Sequence, residues 1–220
     1  MNARSSADPG SRAVEWSLVV PVKVLARAKS RLAALAGPHR PQLALAMAAD
    51  TVAAALVCPE VARVVAVTDD PRAERALAQL GAIVVADEPD DGLNAALRHG
   101  AALAAARWPG TGIGALAADL PALRPGELGM GLRAAARWQQ AFVPDAAGTG
   151  TTLYAVCPPA EFQPSFGPGS ARRHRAAGAA ELAFPGIESL RRDVDAPADL
   201  REATGLGVGP RTAEVAAKLR

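Results

Sequence analysis

A group of positively charged side chains follows the first apolar run of the chain. After SLVVPV come four cations, and no acidic residue occurs between Trp16 and Ala49: Lys23, Arg27, Lys29 and Arg31. Lysine and arginine side chains, with backbone N–H groups of a turn, are the groups that bind polyphosphates. A solvated basic face is the alternative interpretation of the same charge run.

This basic run matches neither of the two common nucleotide-binding loops. The pattern GxxxxGK[ST] is absent from the chain, which excludes a Walker A loop. The stretch GTGIG at 110–114 precedes an apolar run, whereas the glycines of a dinucleotide fingerprint follow a strand.

Acidic residues stand at two positions where a metal ion could bind. Asp119 follows the apolar run GIGALAA and precedes Leu-Pro, so it caps a turn or binds a hard cation such as Mg²⁺, together with substrate phosphates. Asp193 and Asp195 lie in RRDVDAPADL. We expect their side chains on opposite sides of the segment, one facing the ligand of Asp119 and the other capping the helix after Pro197.

Two glycine-rich loops have the composition of anion sites. DAAGTGTTL at 145–153 offers backbone N–H groups and hydroxyls, and FGPGSARRH at 166–174 ends in a Gly-Ser turn at the start of a basic helix. We expect the arginines of that helix to reinforce the site, and His174 to contact phosphate or lie on the helix surface. An ordinary loop with a capped helix is the alternative.

The elements that must position these residues alternate along the chain. Apolar runs predict strands, and helical periodicity with N-terminal prolines and a C-terminal Gly81 predicts helices between them. Strands are expected at 17–22, 61–68, 82–86, 112–118, 141–143 and 151–157, and helices at 40–57, 72–80, 93–108, 125–140 and 197–203, with a short closing helix. The order predicts an α/β fold with helices on both faces of a mostly parallel sheet.

In such a sheet, ligands bind beyond the carboxyl ends of the strands. The candidates there are the basic run, Asp69 with Asp70, the segment 87–94, and Asp119. A strand end and turn are expected at 190–197.

The composition excludes several classes of protein. A net charge of +2 and 4% aromatic residues argue against a nucleic-acid partner, and no apolar run is long enough for a membrane span. Cys58 and Cys157 are nearly a hundred residues apart and fit buried thiols of a cytoplasmic protein. Residues 1–15 are predicted as a disordered leader, and 16–220 as one domain.

Five motifs together resemble a known family. PVKVLARAKSRL, ADLPALRP, GTGTT, FGPGSARRH and RDVDAPADL occur in the order seen in the phosphoenolpyruvate or 2-phospho-L-lactate guanylyltransferases of deazaflavin-coenzyme biosynthesis. The resemblance covers about residues 16–210. It implies a three-layer αβα nucleotidyltransferase fold of the GT-A type, with GTP and phosphoenolpyruvate as substrates and Mg²⁺ as cofactor.

The resemblance also assigns roles to residues. It places the metal at Asp119 and Asp193, with Asp195 as a second-rank ligand, and the phosphorylated acid at Thr151, Gly167 and Ser170. Thr152 is the alternative to Thr151, because the interval to FGPGS is one residue longer than expected. The phosphates of the nucleotide are assigned to Lys23, Lys29 and Arg31. The resemblance does not identify the residues that read guanine, and Asn94 is our own candidate for that role.

The implied reaction is attack by the acid's phosphate oxygen on the α-phosphorus of GTP. Phosphate is already ionised near neutral pH, so catalysis depends on positioning and charge, with Lys23, Lys29 and Asp119 as catalytic residues. A 2-phospho-L-lactate guanylyltransferase and a molybdopterin-type nucleotidyltransferase are alternatives, although the latter predicts a glycine-rich first loop. A catalytically inactive nucleotide-binding regulator is a third. The oligomeric state is open, with a homodimer as one option.

Overall fold

The computed structural model describes residues 14–26, 28–88, 90–158 and 160–219. Residues 1–13 of the predicted leader, and Arg27 of the basic run, lie outside these ranges. Glu15 already belongs to the sheet edge, because its carbonyl accepts a hydrogen bond from the Gly112 N–H.

Within these ranges, seven strands form one mixed sheet: β1 Trp16–Pro21, β2 Val61–Val67, β3 Ile83–Val85, β4 Gly112–Leu116, β5 Gln140–Pro144, β6 Thr151–Val156 and β7 Ala180–Glu181. Their order in the sheet is β3-β2-β1-β4-β6-β5-β7. β6 runs antiparallel to its neighbours β4 and β5, and the other described pairings are parallel. The six predicted strands are confirmed.

Helices cover both faces of this sheet, which is why β1 and β4 are apolar on both sides. The helices are α1 Ala33–Ala36, α2 Arg40–Leu56, α3 Pro71–Leu80, α4 Leu93–Arg107, α5 Pro125–Ala135, α6 Ser170–Ala176, α7 Glu188–Arg191, α8 Pro197–Leu206 and α9 Pro210–Ala217. One core cluster contains buried residues of α2, α3 and α5, and a second, on β1, β2 and β4, contains those of α4. The predicted three-layer α/β arrangement is therefore confirmed.

Glycine is required where α4 crosses the sheet. A Cβ on Gly100 would lie 2.7 Å from a methyl group of Val19 and 2.8 Å from one of Val67. The lack of a side chain therefore allows α4 to approach β1 and β2 closely.

Two expectations about elements were wrong, and one short strand was not expected. α5 ends at Ala135 and not near residue 140, because a turn there leads into β5. The segment 190–197 contains no strand: it begins in the short helix α7 and continues as irregular chain. β7, two residues long and parallel to β5, was not predicted because so short a strand leaves no periodic pattern. Within the described ranges, no helix has both the length and the apolar character that a membrane span requires.

Candidate functional site

A cavity of about 650 Å³ opens at the carboxyl ends of β1 and β4. Lys23 follows β1 and Asp119 follows β4. Thr151 lies at the same edge because β6 is antiparallel and begins there. All three residues line the cavity, so the position expected for a ligand in an open α/β sheet is the position of the observed cavity.

The acidic side of the cavity is formed by Asp119, Asp193 and Asp195. The Val194 N–H donates to the Asp119 carbonyl over 3.1 Å, which brings the two distant segments together. Val194 is fully buried, whereas both aspartates line the cavity. The expectation of opposite sides was wrong, because residues i and i+2 of an extended segment point the same way.

The helix α8 is capped by a different acidic residue. The Asp199 carboxylate accepts hydrogen bonds from the backbone N–H groups of Asp195 and Ala196, at 3.0 and 2.7 Å. Neither Asp193 nor Asp195 is therefore needed as a cap, and the prediction that one of them caps this helix was wrong.

Lys29 is the cation nearest to these carboxylates. Its ammonium group pairs with Asp119 and, at 2.8 Å, with Asp195. Burial disfavours the charged ammonium, but the two carboxylates outweigh it and raise the pKa of Lys29. The same pairing lowers the pKa of Asp195, against the effect of its burial.

The pKa of Asp193 is shifted in the opposite direction to that of Asp195. Burial, and then the charges of Asp119, Asp195 and Asp145, raise its pKa from 3.8 to about 7. Four carboxylates thus lie close together in the lining of the cavity, and Lys29 pairs with two of them. Sequence reasoning missed Asp145, although aspartate often accepts backbone N–H groups of its own turn. The Asp145 carboxylate accepts the N–H groups of Thr149 and Gly150, both over 2.8 Å.

Asp119 is held in place from α2 by Thr51, a residue with no sequence signal. The fully buried Thr51 hydroxyl accepts the Leu120 N–H at 3.0 Å and lies 3.2 Å from the Ala118 carbonyl. Its oxygen is also 2.9 Å from the Met47 carbonyl. The backbone on both sides of Asp119 is therefore anchored by one side chain.

The basic side of the cavity includes Lys23, Lys29 and Arg31. Lys23 and Arg31 are exposed to solvent, so a ligand in the cavity can reach both side chains. The loop between them is anchored by Asp70, which accepts the Leu25 N–H at 3.0 Å and caps α3. Asp69 accepts the Asp87 N–H. Asp69 and Asp70 are both candidates from the sequence, but neither lines the cavity, and their carboxylates accept hydrogen bonds from backbone N–H groups.

A pair of hydroxyl groups forms the third side. The Ser170 hydroxyl donates to Thr151 Oγ1 over 3.0 Å, and Gly167 lies in the loop beside them with a φ of 115°. All three residues line the cavity. Thr152 does not: its hydroxyl is directed to the Val143 carbonyl, so of these two threonines only Thr151 lines the cavity.

The arginines of α6 do not reinforce this side as expected. Arg173 donates to the carbonyls of Ser165, Phe166 and Pro168, and Arg175 pairs with Glu181. His174 is neither a phosphate contact nor a surface residue, because only 1% of it is exposed. Arg173 is therefore bound to the loop, Arg175 to β7 and His174 to the core, through tertiary contacts that the sequence does not reveal.

Asn94 is also occupied by backbone groups. Its amide exchanges two hydrogen bonds with Phe166, at 3.1 and 2.8 Å. It thereby links the start of α4 to the loop that contains Gly167. Its role in guanine recognition stays a prediction.

The carboxylates of the cavity fit a metal ion that takes only some of its ligands from the protein. Among the described residues, no group of three or more acidic, histidine or cysteine side chains is arranged to hold a metal ion. Mg²⁺ usually takes one or two carboxylates and completes its shell with water and substrate phosphates. Asp119 and Asp193 supply that number, and both line the cavity.

Comparison with known proteins decides the family. Residues 16–220 match the family described as guanylyl transferase CofC like. The chain belongs to this family. A phosphoenolpyruvate guanylyltransferase of Thermomonospora curvata is 65% identical over 204 residues, which cover 93% of this chain and 90% of that protein. A protein of the same name from Streptomyces coelicolor is 61% identical over 207 residues, covering 94% and 98%.

Solved structures confirm the nucleotidyltransferase fold of this CofC-like chain. A CMP:2-keto-3-deoxy-manno-octonic acid synthetase complexed with CTP aligns with a TM-score of 0.52 and 19% identity, over 87% of this chain and 98% of that one. A nucleotidyl transferase from Methanothermobacter thermautotrophicus gives a TM-score of 0.52 and 20% identity, over 87% and 97%.

Proposed function

We propose that this chain transfers GMP from GTP to phosphoenolpyruvate, giving enolpyruvyl-diphospho-guanosine and pyrophosphate, as a step in deazaflavin-coenzyme biosynthesis. The observation that carries the proposal is that carboxylates, cations and a hydroxyl pair line one cavity: Asp119, Asp193, Lys23, Lys29, Arg31, Thr151 and Ser170. The names of the relatives at 61% and 65% identity support the choice of substrates.

The reaction needs no strong base. A phosphate oxygen of phosphoenolpyruvate forms a bond to the α-phosphorus of GTP, and the bond from that phosphorus to the bridging oxygen of pyrophosphate breaks. The nucleophile is already an anion and the leaving group departs as one, so no proton must be moved. The barrier is the approach of two anions, which positioning and fixed positive charge lower.

The basic side of the cavity supplies fixed positive charge. Lys23 and Arg31 are free to contact the triphosphate and to stabilise the departing pyrophosphate, since both are exposed at the cavity. Lys29 is shared with Asp119 and Asp195 and stays charged across the working pH range because of its raised pKa. Removal of one such charge should lower the rate by about 10²–10³-fold.

Mg²⁺ is proposed as the cofactor, with Asp119 and Asp193 as its protein ligands and Asp195 as a further oxygen donor. When bound, the ion neutralises phosphate charge and polarises phosphoryl oxygens. The chain's contribution is to hold these carboxylates at one place, through the Val194 N–H and the Thr51 hydroxyl.

Thr151, Gly167 and Ser170 are proposed to bind the phosphorylated acid. They line the same cavity as the basic run, and the proposal gives the two substrates separate anion sites within it. We place the reaction in the cytoplasm, where both substrates are found. The molar mass in solution, measured by light scattering, tests whether the enzyme is a homodimer.

The test is turnover with purified protein. Pyrophosphate release is measured with GTP and phosphoenolpyruvate, with and without Mg²⁺, and the product mass is determined. Parallel reactions replace phosphoenolpyruvate by 2-phospho-L-lactate, and GTP by CTP. We expect release only when GTP, phosphoenolpyruvate and Mg²⁺ are all present. Faster turnover of 2-phospho-L-lactate, or of CTP, would overturn the substrate assignment.

A further inference from the structure

His174 is a buried histidine whose two ring nitrogens are both engaged. Nε2 accepts the Ser165 backbone N–H over 3.0 Å, and Nδ1 lies 3.0 Å from Thr151 Oγ1. A backbone N–H can only donate, so Nε2 carries no proton. In a neutral ring the proton is then on Nδ1, which donates to the Thr151 hydroxyl oxygen.

The surroundings of His174 keep the ring neutral and fixed. Burial, and then the charge of Arg173, lower its pKa to about 4. The ring stacks on Tyr154 with centroids 4.6 Å apart and planes at 12°, and Phe142 and Phe166 enclose it at 5.6 Å. The ring therefore cannot turn to exchange its nitrogens without disturbing this aromatic cluster.

Thr151 receives a second hydrogen bond from Ser170, whose hydroxyl donates to the same oxygen over 3.0 Å. A hydroxyl oxygen has two lone pairs, and both are then used. The one hydrogen bond that the Thr151 hydroxyl can still make is the one in which it donates its own proton. Because Thr151 lines the cavity, that proton is available to a ligand there.

We propose that His174 is a positioning residue that makes the Thr151 hydroxyl an obligate hydrogen-bond donor to an anionic oxygen of the phosphorylated acid. The inference rests on the proposed function for the identity of that acid. It explains why a histidine lies behind a substrate site without reaching the substrate. It also predicts that the site binds ligands with an acceptor oxygen beside the Thr151 hydroxyl more tightly than ligands without one.

Two substitutions separate the two hydrogen bonds of the ring. His174→Asn retains a donor at the position of Nδ1, and His174→Gln retains an acceptor at the position of Nε2. We expect His174→Gln to raise KM for phosphoenolpyruvate by about 10- to 100-fold and to leave KM for GTP near wild type, because the Thr151 proton is then no longer directed at the anionic oxygen of the ligand. His174→Asn should keep most of the wild-type affinity for phosphoenolpyruvate, although it loses the hydrogen bond from the Ser165 N–H.

Equal KM values for phosphoenolpyruvate in the two variants would overturn the inference, and thermal unfolding shows whether each variant is folded. A measurement on the wild-type enzyme does not depend on the variants: ¹⁵N NMR of the histidine ring should show a neutral ring with the proton on Nδ1. A proton on Nε2 would also overturn it. If wild-type enzyme fails to turn over phosphoenolpyruvate, the proposed function falls, whereas the NMR result decides the ring's state separately.

Discussion

Replacement of Thr51 by valine should misplace Asp119 while preserving the shape of the side chain. Valine lacks the oxygen that accepts the Leu120 N–H at 3.0 Å and that lies 3.2 Å from the Ala118 carbonyl. Leu120 is fully buried, so water cannot replace the lost acceptor. An unpaired buried N–H costs about 1–3 kcal/mol, and this should be the loss in free energy of unfolding.

The matched control is Thr51→Ser, which keeps the hydroxyl and removes a methyl group. Loss of one buried methyl costs about 1 kcal/mol, so the two variants should be similarly destabilised in urea unfolding. They should differ in turnover. A shift of about 1 Å in Asp119 can lower kcat by about 10²-fold in Thr51→Val. Thr51→Ser should stay near wild type.

The assay is pyrophosphate release at saturating GTP and phosphoenolpyruvate, at a temperature where both variants are folded. Equal kcat values in the two variants would show that the Thr51 hydroxyl is a stability element only. The interpretation of Thr51 as the anchor of Asp119 would then be refuted.

Other predictions concern the site residues and pH. Asp119→Asn should lower turnover by at least about 10²-fold without changing thermal unfolding appreciably, and wild-type activity would exclude Asp119 from the reaction. Ser170→Ala should raise KM for phosphoenolpyruvate more than KM for GTP, whereas equal changes would argue against two separate anion sites. His174 has a pKa of about 4 when folded and 6.5 in the reference state, so the unfolded chain binds the proton first as pH falls. The free energy of unfolding should therefore decrease by up to about 3 kcal/mol between about pH 6.5 and 4. His174→Gln should lose that part of the pH dependence; an unchanged profile would place the titration elsewhere.

The sequence predicts well both the strands of the sheet and the edge of the sheet at which the cavity lies, because both depend on local patterns. Apolar runs such as GIGAL reveal strands that are covered on both faces, and in a parallel sheet the polar residue after each run must lie at one edge. This reasoning placed Lys23 and Asp119 correctly beside the cavity.

The partners of side chains were less predictable, because they depend on segments far apart in the chain. The same reasoning also selected Asp70, but the carboxylate of Asp70 anchors backbone: it accepts the N–H of Leu25 in the first loop and N–H groups at the start of α3. Arg173 has the composition of an anion contact, but the loop it follows folds back over it and presents carbonyl groups. Thr51 lies in the middle of an alanine-rich helix and becomes significant only when the loop around Asp119 packs on it.

The central claim is that Asp119 and Asp193 jointly hold the divalent cation at which the two anionic substrates meet. The most direct test is a crystal structure of the enzyme with GTP and Mn²⁺, with anomalous scattering used to locate the metal. We predict a manganese peak in contact with carboxylate oxygens of both Asp119 and Asp193 and with the triphosphate. A nucleotide-bound manganese ion that contacts neither aspartate would contradict the claim.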